Sequence, residues 1–140
     1  MNRIESERGS VSIWVVTSAF VMIMLVGIAV DLGGKVYAQQ NAQDVARQAA
    51  RTAGQEIQVP TAVRGEGVAA DPSAGQQAAQ RYLDASNMNG TATVVDSDTV
   101  HITTTDTYET TFLGIIGITG FTVHGEAEAR IAHVVNGQER

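Results

Sequence analysis

The chain begins with an uncharged apolar stretch and ends with alternating apolar and polar positions. Residues 9–30 run for 22 positions without a charged side chain. As an α-helix this stretch is about 33 Å long, enough to cross a hydrocarbon core of about 30 Å. Charged residues stand on both sides of it, Arg8 before and Asp31 after. The pattern predicts a transmembrane helix over residues 10–30, preceded by a leader or cytoplasmic segment, residues 1–9.

A helical pattern continues beyond the predicted membrane segment. Residues 31–56 contain no proline and are rich in Ala and Gln, which favour an amphipathic extension of the same helix. We predict one rod of about 70 Å over residues 10–55, in which Gly33 and Gly34 are the one place where a kink is expected. Alanines at spacings of three and four form a stripe on one face of this rod. The stripe consists of Ala42, Ala46, Ala49 and Ala53.

Two uses of this stripe are open at this point. Alanine buries little area, so it suits places where two backbones approach closely, either between neighbouring subunits or against a closely packed sheet. Ala29 and Gly33 form a further pair of small residues four positions apart, a spacing that permits close helix packing in membranes and also arises by chance. Asp31 at the membrane edge needs a partner wherever such helices pack together, and we expect Lys35 or the N-terminus of a neighbour.

The remaining residues, 57–140, predict one small extracytoplasmic domain. Prolines and glycines over residues 57–72 indicate a surface loop. A short second helix follows near residues 74–86, with Asp71 or Ser73 as its cap.

Beyond residue 90 the hydrophobic period changes to two. Residues 91–96 and 99–105 are rich in Thr and Val and indicate a hairpin that turns at Ser97 and Asp98. The last strand alternates most clearly, and an antiparallel sheet of three to four strands, packed on helix at one face and wet at the other, explains these patterns. The fold class is therefore α+β. Its covered positions are predicted to be Val100, Ile102, Phe121, Val123, Ala127, Ala129 and Ile131.

An apolar loop with three glycines precedes that last strand. Two alternatives are open for it: it folds under the sheet, or it is an exposed contact patch. The residues concerned are Leu113, Ile115, Ile116 and Ile118.

Composition narrows the function. The net charge of the chain is −6, whereas nucleic-acid binders carry basic patches, so we expect no nucleic-acid partner. The chain contains no cysteine, which excludes thiol catalysis, disulfides and Cys-ligated zinc.

Candidate catalytic or metal-binding residues are few. His101, His124 and His133 fall in predicted strands. His101 and His124 could form a two-histidine metal site, but we favour the interpretation that the histidines are solvated strand residues. Asp96 and Asp98 lack the twelve-residue calcium-loop pattern and read as a hairpin turn. There is no nucleophile-elbow or Ser-x-x-Lys motif. We therefore predict no enzymatic activity, no catalytic residues, no cofactor and no metal.

The apolar run also invites comparison with a signal peptide cleaved after Ala38. A signal h-region is about 7–15 residues long, which is shorter than this run, and Asp31 and Lys35 intervene. We therefore favour a retained anchor. Arg3 and Arg8 precede the span, so the positive-inside rule favours a cytoplasmic N-terminus and an extracytoplasmic C-terminal domain.

The order of these elements resembles a known family. A charged leader, an apolar helix, Asp31, an Ala/Gln-rich extension and a Thr-rich sheet closing in residues 112–130 resemble the TadE- and TadG-like minor pilins (pseudopilins) of tight-adherence (Flp-type) pilus systems, especially as they appear in actinobacteria. The resemblance implies a membrane-anchored, pilin-like subunit or assembly component that forms homo- or hetero-oligomers with other pilin-like subunits and pilus assembly proteins. It also implies location in the cell membrane or in a surface filament.

Two residues of the leader are carried over from this resemblance. Pilin leaders are cut after a glycine, which here corresponds to cleavage between Gly9 and Ser10. Such a cut places Trp14 at the fifth mature position, where many pilins carry glutamate, and the TadG-like branch often lacks the standard site. The alternative function is a bitopic cell-envelope protein whose extracytoplasmic domain binds a ligand or a protein and never leaves the bilayer.

Overall fold

A computed structural model shows two helices and small antiparallel sheets. It describes residues 6–64, 71–96, 99–130, 134–135 and 138–139, with side-chain burial over 11–56, 71–96 and 99–130. The helices are α1, Ser6–Arg64, and α2, Pro72–Ala85. The strands are β1, Asn89–Asp96; β2, Thr99–Glu109; β3, Gly120–Arg130; β4, Val134–Val135; and β5, Gln138–Glu139. The predicted α+β layout of a long helix, a short helix and a sheet is confirmed.

Helix α1 is longer than the predicted rod. Its 59 residues correspond to about 88 Å at 1.5 Å per residue, and it passes through Gly33 and Gly34 as helix. The predicted loop over 57–72 is wrong at its start, because the helix continues to Arg64. Pro60 removes one N–H from the helical ladder, but it lies four residues from the helix end, so the loss concerns only the last turns.

Helix α2 begins at the predicted cap. The Asp71 carboxylate accepts a hydrogen bond of 2.9 Å from the Ser73 amide and another from the Ser73 hydroxyl. These bonds satisfy an N–H that the helix leaves unpaired, and they lower the pKa of Asp71 below its ordinary value. Pro72 occupies the first helical position, where its missing N–H is not needed.

Strands β1, β2 and β3 form a three-stranded antiparallel sheet in that order, and β4 pairs with β5 within the described residues. Val100 pairs with Val94 on one side and Ala129 on the other. The predicted turn at Ser97 and Asp98 lies outside the described residues.

The predicted alternation of the strands is confirmed where it is described. Val100, Ile102 and Val123 are buried, whereas Glu126 and Glu128 are exposed. A slip of one residue would exchange these faces. Ile131 and His133 lie outside the described residues.

The alanine stripe lies inside the chain's own core. Ala42, Ala46, Ala49 and Ala53 have no exposed surface. The last three pack in one cluster with sheet and α2 residues such as Ile102 and Leu83, and Ala42 meets the sheet through its carbonyl, which accepts a 2.9 Å hydrogen bond from the buried Thr104 hydroxyl. The stripe therefore brings the helix backbone close to the chain's own sheet.

Enlarging the stripe is expected to loosen this packing. Ala46→Leu adds volume to a position without free space, so we expect a loss of about 1–3 kcal/mol in the free energy of unfolding. The exposed Arg51→Ala should change it by no more than about 0.5 kcal/mol. Denaturant titration of both variants in detergent measures the difference, and equal stabilities would contradict this account of the stripe.

Glutamine side chains from the helices bind both outer edges of the sheet. Gln43 on α1 donates to the Glu126 carbonyl at 2.5 Å and accepts from the Glu126 amide at 3.3 Å. At the opposite edge, Gln80 on α2 accepts from the Ala92 amide at 3.1 Å, and Gln76 donates to the Ala92 carbonyl at 3.0 Å. Unpaired strand edges invite association with other strands, so these glutamines block strand addition where they bind.

Candidate functional site

The first half of α1 carries a large apolar surface with nothing packed on most of it. In the described residues, one helical segment, Val11–Glu56, is long and apolar enough to cross a membrane; its most apolar window has a mean hydropathy of 2.5 and is 6% buried. Side chains such as Trp14, Phe20 and Ile23 are largely exposed. This surface needs a bilayer or neighbouring protein to cover it.

The connection between β2 and β3, residues 110–119, lies at the end of this apolar surface. We call this connection the tip. It contains one 3₁₀ turn, Leu113–Ile116, closed by Gly117 in the left-handed conformation with φ of 92°. Because the hairpin runs along α1, the tip meets the helix at Gly27 and Asp31.

Asp31 holds the tip against the helix. Its carboxylate accepts hydrogen bonds from the amides of Thr111 at 2.7 Å, Phe112 at 2.9 Å and Leu113 at 2.7 Å, and from the Tyr108 hydroxyl at 3.4 Å. The residue has no exposed surface. A buried carboxylate is costly unless it is fully hydrogen-bonded, and four donors meet that need.

The expected pairing of Asp31 with Lys35 is wrong. The acceptors on Asp31 are occupied by the tip, and the Lys35 ammonium lies 4.8 Å from the centre of the Phe121 ring. Lys35 therefore makes a cation–π contact with β3, one turn along α1 from the carboxylate.

Two glycines of α1 let the hairpin approach the helix. A Cβ at Gly27 would lie 2.8 Å from the Phe112 Cβ, and a Cβ at Gly34 would lie 2.5 Å from the Tyr108 Cε2 and closer to the phenol oxygen. Both positions therefore require the absence of a side chain for the tip and Tyr108 to stay where they are.

Neighbouring glycines of α1 provide a matched test of this contact. A Cβ at Gly33 meets nothing within 4 Å, so we expect Gly33→Ala to raise stability by roughly 1 kcal/mol through helix propensity. Gly34→Ala displaces Tyr108 from Asp31, so we expect it to lower stability instead. Thermal unfolding in detergent gives the two signs; a gain in both variants would show that the Tyr108 contact is not formed.

The predicted contact loop divides between the two alternatives. Leu113 is buried, whereas Ile115, Ile116 and Ile118 are 83%, 54% and 41% exposed. One apolar side chain therefore folds inward, and three face outward.

The other predicted site residues are not brought together. Ala29 and Gly33 lie on exposed surface of α1, and Gly9 and Ser10 lie within the same helix near its start. Their roles in helix packing and in leader cleavage stay predictions.

The two described histidines are also separate. His101 pairs with Glu128, and His124 pairs with Thr105, four residues along the sheet and hence about 13 Å away. The Thr105 hydroxyl lies 3.2 Å from His124 Nδ1. Over the residues that the structure describes, no cluster of three or more metal-binding side chains is found.

Comparison with known proteins supports the resemblance drawn from the sequence. Residues 9–51 match the family model of TadE-like proteins. The match covers the apolar run, Asp31 and most of the alanine stripe, and it confirms the predicted TadE-like character of this segment. No curated protein and no solved structure matches the chain.

The match concerns the N-terminal part of the chain. Residues 9–51 are TadE-like, which is consistent with a component of tight-adherence (Tad) pilus systems. The same segment holds the apolar first half of α1, a helix that could serve as a membrane anchor. The actinobacterial type stays a prediction.

Proposed function

We propose that the chain is a pilin-like structural subunit or assembly component of a tight-adherence-type pilus, without enzymatic activity. One observation carries the proposal: a single helix is bare and apolar in its first half and forms the core of a folded domain in its second half. The TadE-like match over residues 9–51 supports the same function.

The proposed mechanism is transfer of the apolar surface between two environments. In the membrane, lipid covers residues 10–30; in a filament, neighbouring helices cover them. Burial of apolar surface is worth about 25 cal/mol per Å², so leaving lipid is favourable only where neighbours restore the burial. Anchor and assembly therefore depend on each other.

The proposed domain organisation follows from this mechanism. Residues 1–9 are the leader or cytoplasmic segment, residues 10–30 cross the membrane, and residues 31–56 extend the helix. Residues 57–140, of which 57–64 are the last turns of α1, form the extracytoplasmic domain, whose core includes Ala46 and Ala49 of the extension.

Retention of the helix is also part of the proposal. Cleavage after Ala38 would remove Asp31, the acceptor for three amides of the tip. A cut between Gly9 and Ser10 would leave Asp31 and its partners in place. We therefore propose that any processing occurs at the earlier site.

Crosslinking in intact cells tests the subunit role. The native chain has no cysteine, so a single cysteine in place of the exposed Val16 or Met22 reports contacts between helices of neighbouring subunits. Ala49→Cys, at a position buried in the core, is the matched control. We expect crosslinked subunits from the exposed positions alone, and the protein in sheared surface material. Mass spectrometry of the N-terminus reads the processing site.

The opposite result has a clear meaning. If neither exposed cysteine gives crosslinks between subunits and the protein fractionates as a membrane monomer, the pilin-like role fails. The chain would then act as a bitopic envelope protein.

A further inference from the structure

The tip presents an apolar surface without charge. Residues 110–123 contain no acidic, basic or histidine side chain. Ile115 is the most exposed large apolar residue of the described chain, and Ile116, Ile118 and Phe112 lie around it with exposed surface of their own. A water-facing loop of a small acidic domain has no evident need for four such side chains.

The position of the tip along α1 explains this surface. Phe112 covers Gly27, which lies three residues, or about 4.5 Å, before the end of the uncharged run at Val30. The apolar surface of the tip is therefore continuous with the apolar surface of the helix. If lipid covers the helix up to Val30, the same lipid reaches the tip.

Most backbone amides of the tip have acceptors within the protein. The amides of Thr111, Phe112 and Leu113 donate to Asp31. Four further amides bind carbonyls of the same segment at 3.1 Å; they belong to Thr110, Ile115, Gly117 and Ile118. Unsatisfied backbone groups are costly in hydrocarbon, and seven of the ten amides of the tip have protein acceptors.

We infer that the tip inserts Ile115, Ile116 and Ile118 among the lipid acyl chains of the bilayer that α1 crosses. The domain then contacts the membrane twice, through the helix and through the tip, in the leaflet facing the sheet. Asp31 makes the second contact possible, because it accepts three of the tip's amides at the membrane boundary. The inference rests on the proposed membrane anchor.

Fluorescence quenching tests the inference with the full-length chain in lipid nanodiscs that each hold one protein molecule. Single cysteines replace Ile115 in the tip, Phe20 in the span, and Val95, 62% exposed at the opposite end of the sheet. Each carries an environment-sensitive dye and is exposed to nitroxide-labelled phosphatidylcholine or to aqueous iodide. We expect labels at 115 and 20 to be quenched several-fold more by the lipid nitroxide than the label at 95, and iodide to quench mainly the label at 95.

Each other outcome overturns a specific claim. If label 115 behaves as label 95 while label 20 responds to lipid, the anchor stands and the inserted tip is wrong. If label 20 also fails to respond to lipid, the anchor and the proposed function fail with it. If label 115 is shielded from iodide only in discs holding two or more molecules, a second copy covers the tip instead of lipid.

Discussion

Replacement of Asp31 by alanine is expected to release the tip from helix α1. The substitution removes the acceptor for the amides of Thr111, Phe112 and Leu113 and leaves those buried or part-buried donors without their protein partner. Unsatisfied buried donors are more costly than the hydrogen bonds they lose. We expect hydrogen exchange at these three amides to become at least about tenfold faster.

A nearby carboxylate of α1 provides the control for Asp31. Asp44 is exposed and pairs with Arg47 on the same helix at 2.6 Å, an arrangement that contributes little to stability. Asp44→Ala should therefore leave exchange at residues 111–113 unchanged. Equal protection of these amides in wild type and Asp31→Ala would refute the role assigned to the carboxylate.

Gly125→Ala is expected to separate the sheet from α1. A Cβ at residue 125 would lie 2.6 Å from the Gln43 amide nitrogen and closer to the Ala42 carbonyl group. Both are helix backbone, which cannot rotate away as a side chain can, so the strand itself must move. We expect a loss of about 3 kcal/mol or more in the free energy of unfolding.

The effect of Gly125→Ala is steric and can be distinguished from an effect on backbone conformation. Gly125 is not among the positive-φ residues, which in the described chain are Asn87 and Gly117, so alanine meets no backbone penalty there. Thr122→Val, on the exposed face of the same strand, is the matched control and should stay near wild type in denaturant titration. If Gly125→Ala unfolds at the same denaturant concentration as Thr122→Val, the close approach of helix and strand is wrong.

Periodicity was sufficient to predict the elements and most of their faces. The uncharged run, the alanine spacing and the alternation from Val100 to Ala129 each depend on local sequence, and the structure follows each of them. The pattern is misleading at residues 57–64, where prolines and glycines predict a loop and the structure has helix. A proline inside a helix removes one hydrogen bond and crowds the carbonyl four residues earlier, at a cost of about 3 kcal/mol. Pro60 lies near the end of α1, so this cost falls on the last turns of the helix.

Contacts between distant residues were beyond the reach of such patterns. Asp31 and Leu113 are 82 residues apart, and no local rule joins a carboxylate to amides at that separation. A signal was nevertheless present, because Asp31 is the first charge after the uncharged run. Gly125 carried another: a glycine at a core-facing strand position marks close approach of a second backbone.

The glutamines of α1 show the same limit. The Gln content of residues 31–56 indicates a helix, but it does not indicate that Gln39 and Gln43 bind carbonyls of β3, at His124 and Glu126. Residue type indicates the need for a hydrogen bond but not the partner. Here the partner is a backbone carbonyl, which every residue carries, so the sequence does not indicate which residue provides it.

The distance in sequence between Asp31 and the tip sets an order for biogenesis. Helix α1 is made before the residues that bind it. The donors to Asp31 come about 80 residues later, in the tip, and the alanine stripe packs on residues of α2, β2 and β3. Until then the nascent chain displays a buried-type carboxylate and a bare alanine face. A product truncated before Gly125 lacks Ala127 and Ala129, which pack on this face, so an incomplete chain differs from a finished one in its exposed alanine surface.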